Sequence, residues 1–183
     1  MVENLKQLID LAKAGDKEAF GRLYTIYYTP VYRYAYLRLR NKEIAEDIAQ
    51  TVFLKMYEKV SEFEEQKESP LPFLFTIARN TIIDWFRKES HSTAEDDETL
   101  SKKIDDRATH NFTEEKENKN LAELAMNILE GEQKEAVMLK FLSGMPNDEI
   151  AKVLGKKEEA IRQLQSRGIK KIREHFKERG IFE

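Results

Sequence analysis

The chain has 183 residues, of which 40% are hydrophobic and 36% charged, with a formal net charge of −3. That length allows one medium domain or two small ones, and the balance predicts folded, solvated helices rather than disorder or a large sheet core. The net charge rules out a general polycation, so any contact with nucleic acid must come from local patches, and the absence of cysteine excludes disulfides, thiol nucleophiles and Cys-based zinc sites.

Apolar residues recur at helical spacing almost throughout, and Gly (7) and Pro (4) are too scarce for a hairpin-rich fold. The amphipathic start MVENLKQLIDLAKAGD lacks a signal-peptide run, and no stretch approaches the ~20 apolar residues of a membrane span. A soluble intracellular protein is expected. Leu5, Leu8, Ile9 and Ala12 form a first short stripe that Gly15 closes. Asp16 is placed to cap the next helix, which carries Phe20, Leu23, Tyr24 and Tyr27. Pro30 is expected to interrupt or restart that helix before VYRYAYLRLR.

Five Arg/Lys and no acid lie between Gly21 and Lys42, and six of the seven tyrosines lie between Tyr24 and Tyr36. Tyrosines at this spacing read first as core residues with a wet hydroxyl. The alternative is a surface that stacks single-stranded nucleic acid. A long helix follows over about Lys42–Val60, with Ile44, Ala45, Ile48, Ala49, Val52, Phe53, Met56 and Val60 as its buried stripe. Glu43, Asp47, Gln50 and Leu54 follow a second face, where a leucine among polar residues points to a protein contact. EFEEQKESPLP then makes a turn or loop, and a further helix starts near Phe73. Within it, IARNTIIDWFRKE sets Ile82, Ile83, Trp85 and Phe86 beside Arg79, Asn80, Asp84, Arg87 and Lys88.

Residues 89–117 are acidic and small-polar without a period, which predicts a flexible linker over 89–119 between helical domains at 1–88 and 120–183. In the second domain a short helix around Ile150, Ala151, Val153 and Leu154 meets a turn at Gly155 and a long helix from about Glu158, a helix-turn-helix pattern. Ile161, Leu164, Gly168, Ile172 and Phe176 share one face of the long helix, and Arg162, Gln163, Ser166, Arg167, Lys170 and Arg173 the other. Seven Lys/Arg against two Glu between Ile161 and Arg179 suit a recognition helix, with Arg and Gln able to read base edges while the other cations hold phosphates. Gly168 on the inward face calls for a close helix crossing.

The segments AFGRLYTIYYTPVYRYAYLRL, AEDIAQTVFLKMYE, FLFTIARNTIIDWFRK and EQKEAVMLKFLSGMPNDEIAKVLGKKEEAIRQLQSRGIKKIRE, in this order, resemble extracytoplasmic-function sigma factors of bacterial RNA polymerase. The likeness covers about residues 18–89 and 120–176. It implies an all-α protein with two helical domains, a sigma region 2-like bundle and a sigma region 4-like helix-turn-helix. It also implies that Glu46, Asp47, Gln50 and Leu54 dock on core RNA polymerase, at the clamp coiled coil of β′, with a second contact at the β flap. Arg79, Asn80, Asp84, Arg87 and Lys88, with the loop from about Glu62 to Pro70, would engage the −10 element of promoter DNA. Arg162, Gln163, Ser166, Arg167 and Lys170 would read the −35 element. An anti-sigma factor is the further partner that the resemblance implies.

Some positions depart from the family pattern. Phe73-Leu74 replaces the common Trp-Leu, and Pro146 replaces the small cap residue, so that Asn147 is the expected cap. Leu164 and Gln165 stand where many members have Arg and Leu, which bears on the −35 sequence that is read. The competing reading is a free-standing helix-turn-helix regulator that binds DNA without polymerase. His91, His110 and His175 are scattered and no HExxH, P-loop or GxSxG motif occurs, so neither an enzyme, a metal nor a cofactor is expected.

Overall fold

The computed structural model describes residues 5–62, 69–91 and 121–180. The loop between Glu62 and Ser69 and most of the acidic linker lie outside these residues. Eight α-helices form the described parts, with one short 3-10 turn over Val60–Glu62. Helix α1 spans Leu5–Lys13, α2 Lys17–Leu39, α3 Lys42–Lys59 and α4 Leu71–His91. Helix α5 spans Leu121–Ile128, α6 Gly131–Ser143, α7 Asn147–Leu154 and α8 Glu158–Glu178.

Local chemistry sets most of the boundaries. The Asp16 carboxylate accepts the amides of Glu18 and Ala19 at 2.9 and 3.0 Å, which caps α2. Asn41 does the same for α3 by accepting the Ile44 amide at 3.1 Å, and Ser69 accepts the Leu71 amide at 3.2 Å ahead of α4. Between α2 and α3 the chain reverses through Arg40, a non-glycine residue at φ 54°.

Three boundaries differ from expectation. Helix α2 runs straight through Pro30. The proline removes one donor from the ladder, but Leu23, Tyr27, Val31 and Tyr34 are buried on both sides of it, and their packing carries the helix across. Asn147 does not cap α7; the cap position is Pro146, without a side-chain bond, and Asn147 begins the helix. Helix α4 also continues to His91, past the expected linker start.

Helices α1 to α4 pack together around Leu23, Val31, Val52, Met56, Leu74 and Phe75. Helices α5 to α8 close around Leu129, Val137, Leu139, Ile150 and Ile161. The two modules meet where α2 lies against α6 and α4 against α7, and their buried residues form one continuous cluster.

Candidate nucleic-acid and protein interface

Helix α3 shows its two faces clearly. Ala45, Ile48, Ala49, Val52, Phe53 and Met56 are buried, Ile44 is half-buried, and Glu46, Asp47 and Gln50 are exposed. Leu54 is 60% exposed, between the buried Phe53 and Met56. The buried stripe fixes the helix on α2 and α4, which leaves this second face no freedom to turn inward.

On α4, Asn80, Asp84, Arg87 and Lys88 are exposed, and Asp84 reaches Arg87 at 4.0 Å. A hollow of about 530 Å³ between α3 and α4 gathers Asp47, Lys55, Asp84, Trp85, Arg87 and Lys88. Its floor is held by Lys55, whose Nζ donates to the buried Thr81 hydroxyl at 3.1 Å. Trp85 is half-buried, packed on the core and edge-on to Phe86 with centroids 5.1 Å apart. Arg79 stands apart from this group. It is half-buried on the opposite side, where its Nε is buried without a hydrogen-bond partner and its charge acts on the Tyr34 hydroxyl.

The long helix α8 follows its sequence pattern, with Leu164 and Ile172 half-buried on the inward face. Ile161, Gly168 and Phe176 are buried, while Arg162, Gln163, Ser166, Arg167, Lys170 and Arg173 are all exposed. Arg162 pairs with Glu158 one turn back, and Lys170 lies 3.8 Å from Glu174. Gly155 adopts the left-handed conformation at φ 63° that the tight turn from α7 requires. Lys156 in that turn reaches Glu132 of α6 at 2.7 Å, and Gln165 donates to the Ala136 carbonyl at 3.4 Å. Helix α8 is thereby locked to the module behind it.

The cationic, tyrosine-rich stretch of α2 behaves differently from either sequence reading taken alone. Tyr27 and Tyr34 are core residues. Tyr24, Tyr28, Tyr32 and Tyr36 instead stack successively along one side of the helix, with ring centroids 5.1, 6.1 and 6.2 Å apart. Arg38 is buried and takes the Glu135 carboxylate of α6 at 2.5 Å. The same carboxylate accepts the Tyr34 hydroxyl at 2.7 Å. Burial, and then Glu135, hold the Tyr34 hydroxyl well above its ordinary pKa. Burial likewise raises Tyr27, with Glu149 of α7 adding to it. These cross-module bonds were not legible in the sequence, because the partners lie far apart in the chain, Tyr34 and Glu135 by 101 residues.

Among the described residues, no helix is long and apolar enough to cross a membrane. The sigma-70 region 2 family model matches residues 23–92, and the sigma-70 region 4 model residues 119–172. The chain is 34% identical over 172 residues to the ECF RNA polymerase sigma factor BldN of Streptomyces coelicolor, covering 92% of this chain and 64% of BldN. It is 27% identical to the ECF RNA polymerase sigma factor SigX of Bacillus subtilis, covering 87% of this chain and 84% of SigX. The fold is similar to that of CnrH in complex with the cytosolic domain of CnrY, with TM-score 0.69 and 19% identity over 96% of this chain and 98% of that one. It is also similar to the sigma factor RpoE in complex with the anti-sigma factor NepR from Bartonella quintana, with TM-score 0.66 and 23% identity over 86% of this chain and 96% of that one. With both of its helical modules matched in order, the chain belongs to the sigma-70 family, in the extracytoplasmic-function group of RNA polymerase sigma factors.

Proposed function

We propose that the chain binds core RNA polymerase and directs transcription initiation at promoters with −10 and −35 elements. In this reading α3 docks on polymerase through Glu46, Asp47, Gln50 and Leu54. Asn80, Asp84, Arg87 and Lys88 of α4, joined by Arg79, engage the −10 element, while Arg162, Gln163, Ser166, Arg167 and Lys170 read the −35 element. The observation that carries the reading is the exposed set Asp47, Gln50 and Leu54 on a helix whose other face is fully buried, since a regulator acting on DNA alone has no use for it.

The net negative charge and the small number of open cations predict weak binding to free DNA, because phosphate neutralisation supplies most such affinity. Polymerase would hold both modules and so raise the effective concentration of the second DNA contact. An anti-sigma factor is proposed as a regulatory partner. The groove of about 510 Å³ lined by Tyr32, Tyr36, Met126, Met138 and the 66% exposed Phe141 offers it an apolar surface on both modules.

The test is binding of the purified chain to bacterial core RNA polymerase beside an Asp47→Ala/Gln50→Ala variant. Tight binding by the native chain and loss in the variant is the expected result. Binding by neither, together with a tight shift of duplex DNA alone, would establish the free-standing regulator instead.

A further inference from the structure

Glu46 of α3 stands beside a row of aromatic rings on α2. Tyr24, Tyr28, Tyr32 and Tyr36 follow one another at steps of four, with ring planes 27°, 10° and 16° from parallel. Tyr24 is exposed and the other three are half-buried, so the row lies at the surface rather than in the core. Burial, then Tyr24, Glu46 and Tyr32, raises the Tyr28 hydroxyl above its ordinary pKa. Burial, then Glu46 and Tyr36, does the same to Tyr32. One carboxylate of α3 is thus within electrostatic reach of both middle rings.

The two ends of the row differ. At the Tyr36 end the protein supplies its own cation: the Arg40 guanidinium lies over the Tyr36 ring, 6.0 Å from its centroid, with Glu123 4.0 Å away as counter-ion. A guanidinium over a ring face with a carboxylate behind it is a cation–π arrangement. At the Tyr28–Tyr32 end the rings and the exposed Glu46 carboxylate repeat two of those three parts, and no ion pair between described residues takes up Glu46. The surroundings are acidic, since Glu43, Asp47 and Glu58 also lie exposed on the outer face of α3. Such a face repels phosphates, which disfavours the stacking of single-stranded nucleic acid on these rings. It attracts a cation, and arginine suits it better than lysine because a planar, weakly hydrated guanidinium stacks on aromatic faces. Ring contacts join the row to α3: Tyr24 lies 4.6 Å from Phe53 and Phe20 4.9 Å from the 43% exposed Tyr57. The row therefore borders the face that carries Gln50 and Leu54.

We propose that Tyr24, Tyr28 and Tyr32 of α2, with Glu46 as counter-ion, form a seat for an arginine side chain of core RNA polymerase, beside the contact through Asp47, Gln50 and Leu54. The inference rests on the proposed docking of α3 on polymerase. It adds α2 to that contact and names the side chain that the partner must bring.

Two double variants of the full-length chain separate ring face from apolar bulk. Tyr28→Leu/Tyr32→Leu removes the aromatic faces, and Tyr28→Phe/Tyr32→Phe keeps them. Glu46→Gln changes an exposed side chain and keeps the test alive should the leucine pair fail to fold, which circular dichroism reports. Each form is titrated with bacterial core RNA polymerase. In parallel it is titrated with a helical peptide bearing arginines on one face and with its twin carrying uncharged citrulline there, followed by the ring nuclear magnetic resonance signals of the tyrosines. The leucine pair should lower polymerase affinity about fivefold to thirtyfold, and the phenylalanine pair should restore most of it. Glu46→Gln should lower it about twofold to fivefold. The arginine peptide, and not its twin, should shift the Tyr28 and Tyr32 signals. Native polymerase affinity in the leucine pair would overturn the seat as a polymerase contact, and equal shifts with both peptides would overturn its preference for a guanidinium. Binding of single-stranded DNA that the leucine pair loses would assign the row to nucleic acid instead. Failure of the native chain itself to bind polymerase would sink the docking of α3 and polymerase as the source of the arginine, while the peptides still decide whether the seat takes one.

Discussion

Gly168 of α8 lies so close beneath Val137 of α6 that a Cβ on it would stand 3.0 Å from the Val137 Cγ2. Alanine is the better helix former by ~1 kcal/mol, but forcing a methyl into a packed crossing costs ~1–3 kcal/mol. Gly168→Ala should therefore lose about 1 kcal/mol on balance. Gly21 of α2 is the control, since its added Cβ meets nothing within 4 Å. There the propensity acts unopposed and Gly21→Ala should gain ~0.5–1 kcal/mol. Urea unfolding of the two variants checks both signs; a gain at Gly168 would mean that the crossing is looser than the structure has it.

Leu54 and Met56 are two residues apart on α3 and should respond in opposite ways. Met56 is 2% exposed, so Met56→Ala should cost ~2–5 kcal/mol of fold stability. Leu54 is 60% exposed, and Leu54→Ala should leave stability within ~0.5 kcal/mol. Its effect should appear in polymerase binding instead, as a loss of ~1–2 kcal/mol from forgone apolar contact. A binding titration with core polymerase decides it: equal affinity for Leu54→Ala and native protein would remove Leu54 from the contact.

Arg162 is exposed and pairs with Glu158 one turn back on the same helix. If it reads a base, Arg162→Ala should cost ~1–3 kcal/mol at one position of the −35 element and relax specificity there. A uniform loss over all promoter sequences would assign it to a phosphate. Transcription from a panel of single-base −35 variants separates the two.

Tyr34 gives a test in alkaline solution. Burial, then the Glu135 carboxylate, raises its pKa well above the ordinary tyrosine value of 10.0. Folding therefore favours the protonated hydroxyl. The stability it provides is complete below the ordinary tyrosine range and is lost as pH rises through the folded value. A spectrophotometric titration should show a late tyrosinate step that Tyr34→Phe abolishes. An unchanged curve in that variant would place the late step on another ring.

The residues that carry periodicity were legible in the sequence. The buried stripe of α3, the two faces of α8 and the close crossing at Gly168 follow from helical spacing, which is a local property. The continuity of α2 through Pro30 was not, because the packing that overrides the proline comes from other helices. The partners of the α2 cations were not legible for the same reason. As a string these cations resemble a nucleic-acid patch, but Arg38 and Arg40 find acids supplied by helices far along the chain. Arg79 was placed by motif on the outer side of α4, yet it shares the side that faces Tyr34, and no feature of IARN alone distinguishes the two.

All seven tyrosines and the single tryptophan lie between Tyr24 and Trp85, so the C-terminal module has no near-ultraviolet chromophore beyond phenylalanine. Intrinsic fluorescence is therefore a one-sided instrument for this protein: it follows the N-terminal bundle and is almost blind to melting of α5 to α8. Tyr34 is the exception, because its hydroxyl bonds to a carboxylate of the other module. A native ring at the boundary thus reports on a domain that emits no light of its own.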